Sequence, residues 1–163
     1  MYFCSVETDK NIIPEGRLTL RKSYKLRHKT LVDQLFASGE SLYQYPLRLT
    51  FRKLTESDLQ TIFRNVVPDR IGPVQILVTV PKKKLRHAVD RVLMRRRIRE
   101  ALRLRMPLLK RFVEESGDEI RTLSVGIVYL DKGLSSSRRI GDKLDRILSR
   151  LTTEKSSMDE AEI

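Results

Sequence analysis

The stretch "KKKLRHAVDRVLMRRRIREALRLR", residues 82–105, constrains this chain more than any other. Lysine and arginine fill nearly half of its positions, and its only acids are Asp90 and Glu100. A disordered basic tail would show no order in its apolar residues. Here, at about 100° per residue, Met94, Ile98, Ala101, Leu102 and Leu104 share one broad helical arc. An arc that wide calls for a broad apolar partner, such as a sheet. On the opposite side Arg95, Arg99 and Arg103 follow at i, i+4 and i+8, flanked by Arg96. Side chains so spaced are neighbours, and like charges there cost about 0.2–0.5 kcal/mol per pair. A polyanion laid on the stripe removes that repulsion. The competing account is a solvated face, but such faces normally mix signs to gain i, i+4 pairs, and only two acids are present here.

The surrounding segments supply the sheet. "VQILVTVP" is rich in β-branched residues and ends at Pro81, so a strand feeds the basic helix directly. Lys82, Lys83, Lys84 and Arg86 lie between them, where backbone N–H groups at a helix start also favour phosphate. "YQYPLRLTFRKL" alternates Leu47, Leu49 and Phe51 with Arg48, Thr50 and Arg52, which predicts a half-buried strand with a basic outer face. "RTLSVGIVYL" reads as a further strand. "SYKLRHKTLVDQLFASGES" places Leu31, Val32, Leu35 and Phe36 on one helical face, with Gly39 as C-cap. "SSSRRIGDKLDRILSRL" predicts a last amphipathic helix with Ile140, Leu144, Ile147, Leu148 and Leu151 inward, capped by Ser135, Ser136 or Ser137. "TESDLQTIFRNVVPDRIGP" is taken as a long loop, and Pro107 as a kink or restart of the basic helix. Strands mixed with helices in this order predict an α/β (α+β) chain: a two-layer sandwich with a small mixed sheet. The expected organisation is an N-terminal extension at 1–16, one domain at 17–152, and an acidic, disordered tail at 153–163.

Charge and composition narrow the function. With 33 Lys+Arg against 21 Asp+Glu the formal charge is +12, a field that draws phosphate backbones over about 8–10 Å. Cys4 is the single cysteine, and with only His28 and His87 beside it a structural zinc site is not expected. No apolar run approaches the roughly 20 residues needed to span a bilayer, and the opening "MYFCSVETDK" lacks the basic and apolar regions of a signal peptide. A cytoplasmic protein is the expectation. A two-metal protein nuclease needs gathered carboxylates, whereas Asp33, Glu56, Asp58 and Asp69 are scattered. Neither histidine has an evident partner, so no catalytic side chain is assigned. The absence of a Gly-rich phosphate loop gives no sign of a small-molecule substrate. Helix-turn-helix recognition of DNA does not suit a chain with strands. A base-stacking RNA sheet would need strand aromatics, and Tyr43, Tyr45, Phe51 and Phe63 do not form that motif. Some of them could stack single-stranded bases at about 1–3 kcal/mol each, with core packing as the competing use.

The residues "VTVPKKKLRHAVDRVLMRRRIREALR" resemble the protein component of bacterial ribonuclease P. That family carries a strand ending in small residues and two lysines, then Ala-Val, an Arg-Asn-Arg core, a basic pair and Arg-Glu-x-x-Arg. Val80, Lys82, Lys83, Ala88, Val89, Arg91, Arg95, Arg96, Arg99, Glu100 and Arg103 match it. "TLRKSYKLRHKTLVDQLFASGESL" is similar to the family's opening, with Phe-x-x-Gly at Phe36–Gly39, and the likeness spans residues 17–152. It departs at Val92 and Leu93, which stand where the family usually has Asn-Arg. Val92 falls within the basic stripe and Leu93 beside Glu100, so two polar RNA contacts are missing, with Arg97 as an extra charge to compensate. The loop at 54–73 is also longer than in many members.

The resemblance implies a left-handed βαβ crossover, an exception to the usual handedness. It also implies partners: a catalytic ribonuclease P RNA and precursor tRNA, whose 5′ leader is removed by hydrolysis of one phosphodiester. The protein is then a subunit of an endoribonuclease. Catalysis and the Mg²⁺ ions belong to the RNA, and no cofactor is held by protein ligands. RNA contacts are implied for Lys82, Lys83, Lys84, Arg86, Arg91, Arg95, Arg96, Arg99 and Arg103. A cleft for the single-stranded leader is implied between the first helix and the sheet, lined by Val32, Phe36, Arg48, Thr50 and Thr79. Val32 stands where an aromatic often sits, which weakens stacking, and core packing competes as the account of Val32 and Phe36. The alternative from another class is a structural RNA-binding protein of the ribosome or its assembly. A membrane-surface helix is a third reading, opposed by the lack of Trp and by the core's claim on the apolar face.

Overall fold

Four strands form one mixed sheet in the computed structural model, which describes residues 20–64, 66–68 and 71–159, with side chains as far as Thr153. They are β1 (Glu40–Gln44), β2 (Leu47–Leu54), β3 (Val74–Thr79) and β4 (Thr122–Tyr129), in the spatial order β1-β2-β4-β3. β1 pairs with β2 and β2 with β4 antiparallel, while β3 and β4 run parallel. The helices are α1 (Lys29–Ser38), α2 (Glu56–Ile62), α3 (Ala88–Glu115) and α4 (Ser137–Asp159). The stretch read as one strand around Tyr45 is a hairpin, turning at the cis Tyr45–Pro46 bond. Proline has no N–H to give to a ladder, so the strand ends there.

Period-2 alternation decides which side chains face which layer. Leu47, Leu49 and Phe51 of β2, Val74, Ile76 and Val78 of β3, and Leu123, Val125, Ile127 and Tyr129 of β4 enter one core with α3 and α4. α3 contributes Met94, Ile98, Ala101, Leu102, Met106, Leu109, Phe112 and Val113. Each large apolar side chain so buried contributes about 1.5–3 kcal/mol before entropy is counted. Leu104 does not join them. It is 51% exposed, because α3 meets the sheet and α4 over a narrower arc and leaves Leu104 on the rim between the two helices. α4 buries Ile140, Leu144, Ile147, Leu148 and Leu151, all as its spacing predicts. Its cap is Ser136, whose Oγ accepts from the Arg139 N–H at 3.2 Å. Ser135 is buried instead and shares a hydrogen bond with the Tyr129 hydroxyl at 2.9 Å.

α1 lies on the opposite face of the sheet. Leu31 and Leu35 join Leu26, Leu54, Leu59 and Ile71 in a second, smaller core. Gly126 makes that approach possible: a Cβ there would stand 3.1 Å from Leu35 Cδ2 and 3.3 Å from Phe36 Cζ.

Three further expectations are corrected. The segment read as a long loop contains α2, started by a reciprocal capping box. Thr55 Oγ1 accepts from the Asp58 N–H at 3.2 Å, and the Asp58 carboxylate accepts from the Thr55 N–H at 3.0 Å. The hydrogen bonds from Thr55 hold the Asp58 carboxyl below its ordinary pKa. Pro107 neither ends nor restarts the basic helix, which is continuous from Ala88 to Glu115. Burial of Met106 and Leu109 beside it offsets the missing N–H. Finally, α4 continues to Asp159, so residues 153–159, expected as disordered tail, are helical. The extension at 1–16 and residues 160–163 lie outside the described residues.

Candidate nucleic-acid interface

The turn between β3 and α3 is held from two sides. Lys84 and Leu85 donate their N–H groups to Pro81 O at 3.0 and 3.2 Å. From the first turn of α3, Arg91 Nη1 donates to Leu85 O at 2.9 Å and to Arg86 O at 2.7 Å. Arg91, matched as an RNA contact, thus spends one nitrogen on shaping the loop that carries the lysines. Lys82, Lys83 and Arg86 project from that loop and are exposed, while Lys84 is half-buried.

Along α3 the arginines divide by direction. Arg97 Nη1 donates to Ser135 O at 2.6 Å, which ties it to the loop before α4. Arg105 grips α4 more fully, with Asp145 at 2.6 and 2.9 Å and Gly141 O at 3.1 Å, plus Ala101 O on its own helix at 2.9 Å. Arg97 is therefore a fastening for α4, not the spare charge expected from the sequence. Arg95, Arg96 and Arg99 point the other way. Among the described residues they have no hydrogen-bond or ion-pair partner, and neither do Lys82, Lys83, Lys84 or Arg86. Arg103 shares this side but bonds Glu100 at 2.6 and 2.9 Å. The hydrogen bond from Arg103 holds the Glu100 carboxyl below its ordinary range, and the same bond raises the Arg103 guanidinium. Val92, 39% exposed, interrupts the outward face, and Leu93 is half-buried. Arg99 also walls a cavity of about 390 Å³ floored by Leu26, Ile76 and Val78 and edged by Lys25 and Arg27.

The five residues named for the cleft all lie on the α1 side of the sheet. Val32 is half-buried and Phe36 is 42% exposed at the end of α1, its ring against Gly126. Arg48 and Thr79 are half-buried on β2 and β3, each paired in register with Val128 of β4. Thr50 is only 1% exposed and shares a hydrogen bond with Ser41 at 3.1 Å, so it forms floor, not wall. Arg52 Nη1 donates to Gln34 Oε1 at 2.6 Å and pins α1 to β2 along one side of the groove. Among the described residues what remains is a shallow trough with an exposed ring, an arginine and a threonine, adjoining the lysine turn. The histidines stand apart from it: His28 meets the Phe63 ring edge-on at 5.0 Å, and His87 is the residue before α3. Among the described residues no three His, Cys, Asp or Glu side chains gather as a metal site.

The family model described as Ribonuclease P matches residues 20–115. The ribonuclease P protein component of Chlorobium phaeobacteroides is 33% identical over 133 residues, covering 82% of this chain and 85% of that one. That of Porphyromonas gingivalis is 32% identical over 96 residues, 59% of this chain and 61% of the relative. Among solved structures, a Staphylococcus aureus RNase P protein mutant with defective mRNA degradation activity superposes with a TM-score of 0.55. It is 15% identical, with 80% of this chain and 90% of that one covered. At that identity the likeness concerns the fold, and it bears out the small mixed α/β architecture.

Proposed function

This chain belongs to the ribonuclease P protein family, and on that premise we propose that it binds the catalytic RNA of ribonuclease P through the outward face of α3 and the 5′ leader of precursor tRNA in the α1-side trough. The observation that carries this reading is the division of the α3 arginines. Those facing α4 are consumed by the fold, while Arg95, Arg96 and Arg99 have no partner among the described residues. Unpaired guanidinium groups on a rigid helix are arranged for phosphate, which they meet with paired N–H donors. The trough suits a single strand better than a duplex. It is one sheet wide and offers Phe36 for a base, with Arg48 for a phosphate. Lys82, Lys83, Lys84, Arg86 and Arg91 extend the RNA face, with Arg91 acting partly through the loop it holds.

In this reading the chain's residues bind and orient, and hydrolysis of the phosphodiester is left to the RNA with its Mg²⁺ ions. Neutralising phosphates near the cleavage site lowers the divalent ion concentration needed for RNA folding and substrate docking. The cytoplasm is the proposed location. Among the described residues no helix is long and apolar enough to cross a membrane. Reconstitution with the cognate RNA tests the function. Added protein should shift cleavage of precursor tRNA to lower Mg²⁺ and tighten precursor binding relative to mature tRNA. Cleavage that is unchanged by protein across the Mg²⁺ titration overturns the proposal.

A further inference from the structure

The register of the sheet carries the trough beyond the residues already named. On the α1 side, Thr79 lies opposite Val128, Val128 opposite Arg48, and Arg48 opposite Tyr43 on the edge strand β1. One step along the strands lies the parallel row Leu77, Gly126, Thr50 and Ser41, which α1 covers at Gly126 and Thr50. Among the described residues no helix covers the first row, whose members are half-buried or exposed. Three inter-strand gaps of about 4.8 Å make it a strip about 14 Å long. Its inner end, Thr79, leads through Val80 and Pro81 into the lysine turn, and its outer end is Tyr43.

We propose that Tyr43 is the outer stacking platform of this trough, taking a base of the single-stranded leader while Arg48 holds an adjacent phosphate; this rests on the leader-binding reading above. Tyr43 is 56% exposed, yet it is held in place. Arg150 of α4 donates to Tyr43 O at 3.0 Å, and the Arg48 guanidinium lies 5.3 Å from the centre of the ring. A fastened backbone and a guanidinium beside the ring reduce the freedom lost when a base settles on it. Arg48 has capacity to spare: among the described residues its guanidinium bonds Ser41 Oγ alone, from Nη2 at 3.3 Å. A phosphate oxygen can accept from the remaining Nη donors. Val32 brings no ring to the inner trough, so stacking falls to Phe36, beside the middle of the path over Gly126, and to Tyr43 at its outer end. A strand leaving the basic helix meets Thr79 first and Tyr43 last, which makes Tyr43 matter only to longer leaders.

The test is equilibrium binding of reconstituted holoenzyme to precursor tRNAs whose leaders are lengthened one nucleotide at a time. With the parent protein, affinity should rise with leader length to a plateau. Tyr43→Ala should reach its plateau at a shorter leader and about tenfold weaker, in the range of one lost base–aromatic stack. Tyr43→Phe should follow the parent curve, since stacking needs the ring and not the hydroxyl. Matching thermal melts would show that Tyr43→Ala is folded. A Tyr43→Ala curve that overlies the parent's overturns the proposal and leaves the trough reading standing. A parent holoenzyme indifferent to leader length overturns the trough reading, and this proposal with it.

Discussion

Arg97 and Arg99 are two residues apart on one helix and have opposite fates. The first is bonded to Ser135 O at the entrance to α4, and the second faces outward with no partner among the described residues. Arg105 repeats the fate of Arg97 two turns on, with Asp145 and two backbone carbonyls as its acceptors. A run of like charges is thus two populations. One closes the protein's own seams, and the other faces outward, where the proposed function places RNA. Which population an arginine joins depends on where α4 packs.

The largest expected effect comes from removing the outward group. Replacing Arg95, Arg96 and Arg99 together with alanine should reduce the salt dependence of RNA binding by about one log–log unit per lost phosphate contact. Thermal stability should change little, since among the described residues the three make no hydrogen bond or ion pair. Binding titrations at several salt concentrations decide it, and an unchanged slope would make the outward face a solvated one. Arg105→Ala should do the reverse. It removes the paired bonds to Asp145 and the bond that ties α3 to Gly141 O, costing about 1–2 kcal/mol and lowering Tm by about 2–8 °C, while the salt slope stays as in the parent. A slope that falls with Arg105→Ala would erase the division between the two populations.

The smallest effect concerns the residue between the two classes. Arg103 faces outward but is engaged by Glu100. Glu100→Gln should remove the negative charge paired with that guanidinium and strengthen RNA binding up to a few-fold, with a slope steeper by at most about one unit. The sign of the pH effect follows from the lowered Glu100 carboxyl. The pairing is complete above the ordinary carboxylate range and is lost only as pH falls through the depressed value. In the proposed RNA-binding reading, Glu100 therefore competes with RNA for Arg103 at neutral pH. If Glu100→Gln weakens binding, the acid is orienting Arg103 instead of restraining it.

Much of this was legible in the residues, and the gaps have physical causes. The apolar spacing of α4 and the alternation of β2 were enough to place their buried sides, because burial imposes its period on any sequence. Leu104 and Arg97 were misplaced for one reason: the angular width of α3's buried arc is set by α4, and nothing within α3 records it. α2 did leave a signal. Thr55 followed by Asp58 is a capping-box spacing, but it was outweighed by a short helix with few apolar residues before Pro68 and Gly72. The Tyr43–Arg48–Val128–Thr79 row was invisible before the register was known, since its members come from four strands.

The strand order has a consequence for how the molecule comes into being. β4, last of the strands in the chain, lies between β2 and β3, so it is the piece that joins the hairpin to the strand feeding α3. Until residues 122–129 have left the ribosome, the two halves of the trough have no common floor, and the apolar side of α3 lacks Leu123, Val125 and Ile127. Pairings this distant along the chain form slowly compared with helices. Synthesis therefore passes through an interval in which the arginine-rich helix can exist while the groove beside it cannot. A nascent chain or a fragment cut before Thr122 would carry the charge for RNA without the surface that gives the charge a direction.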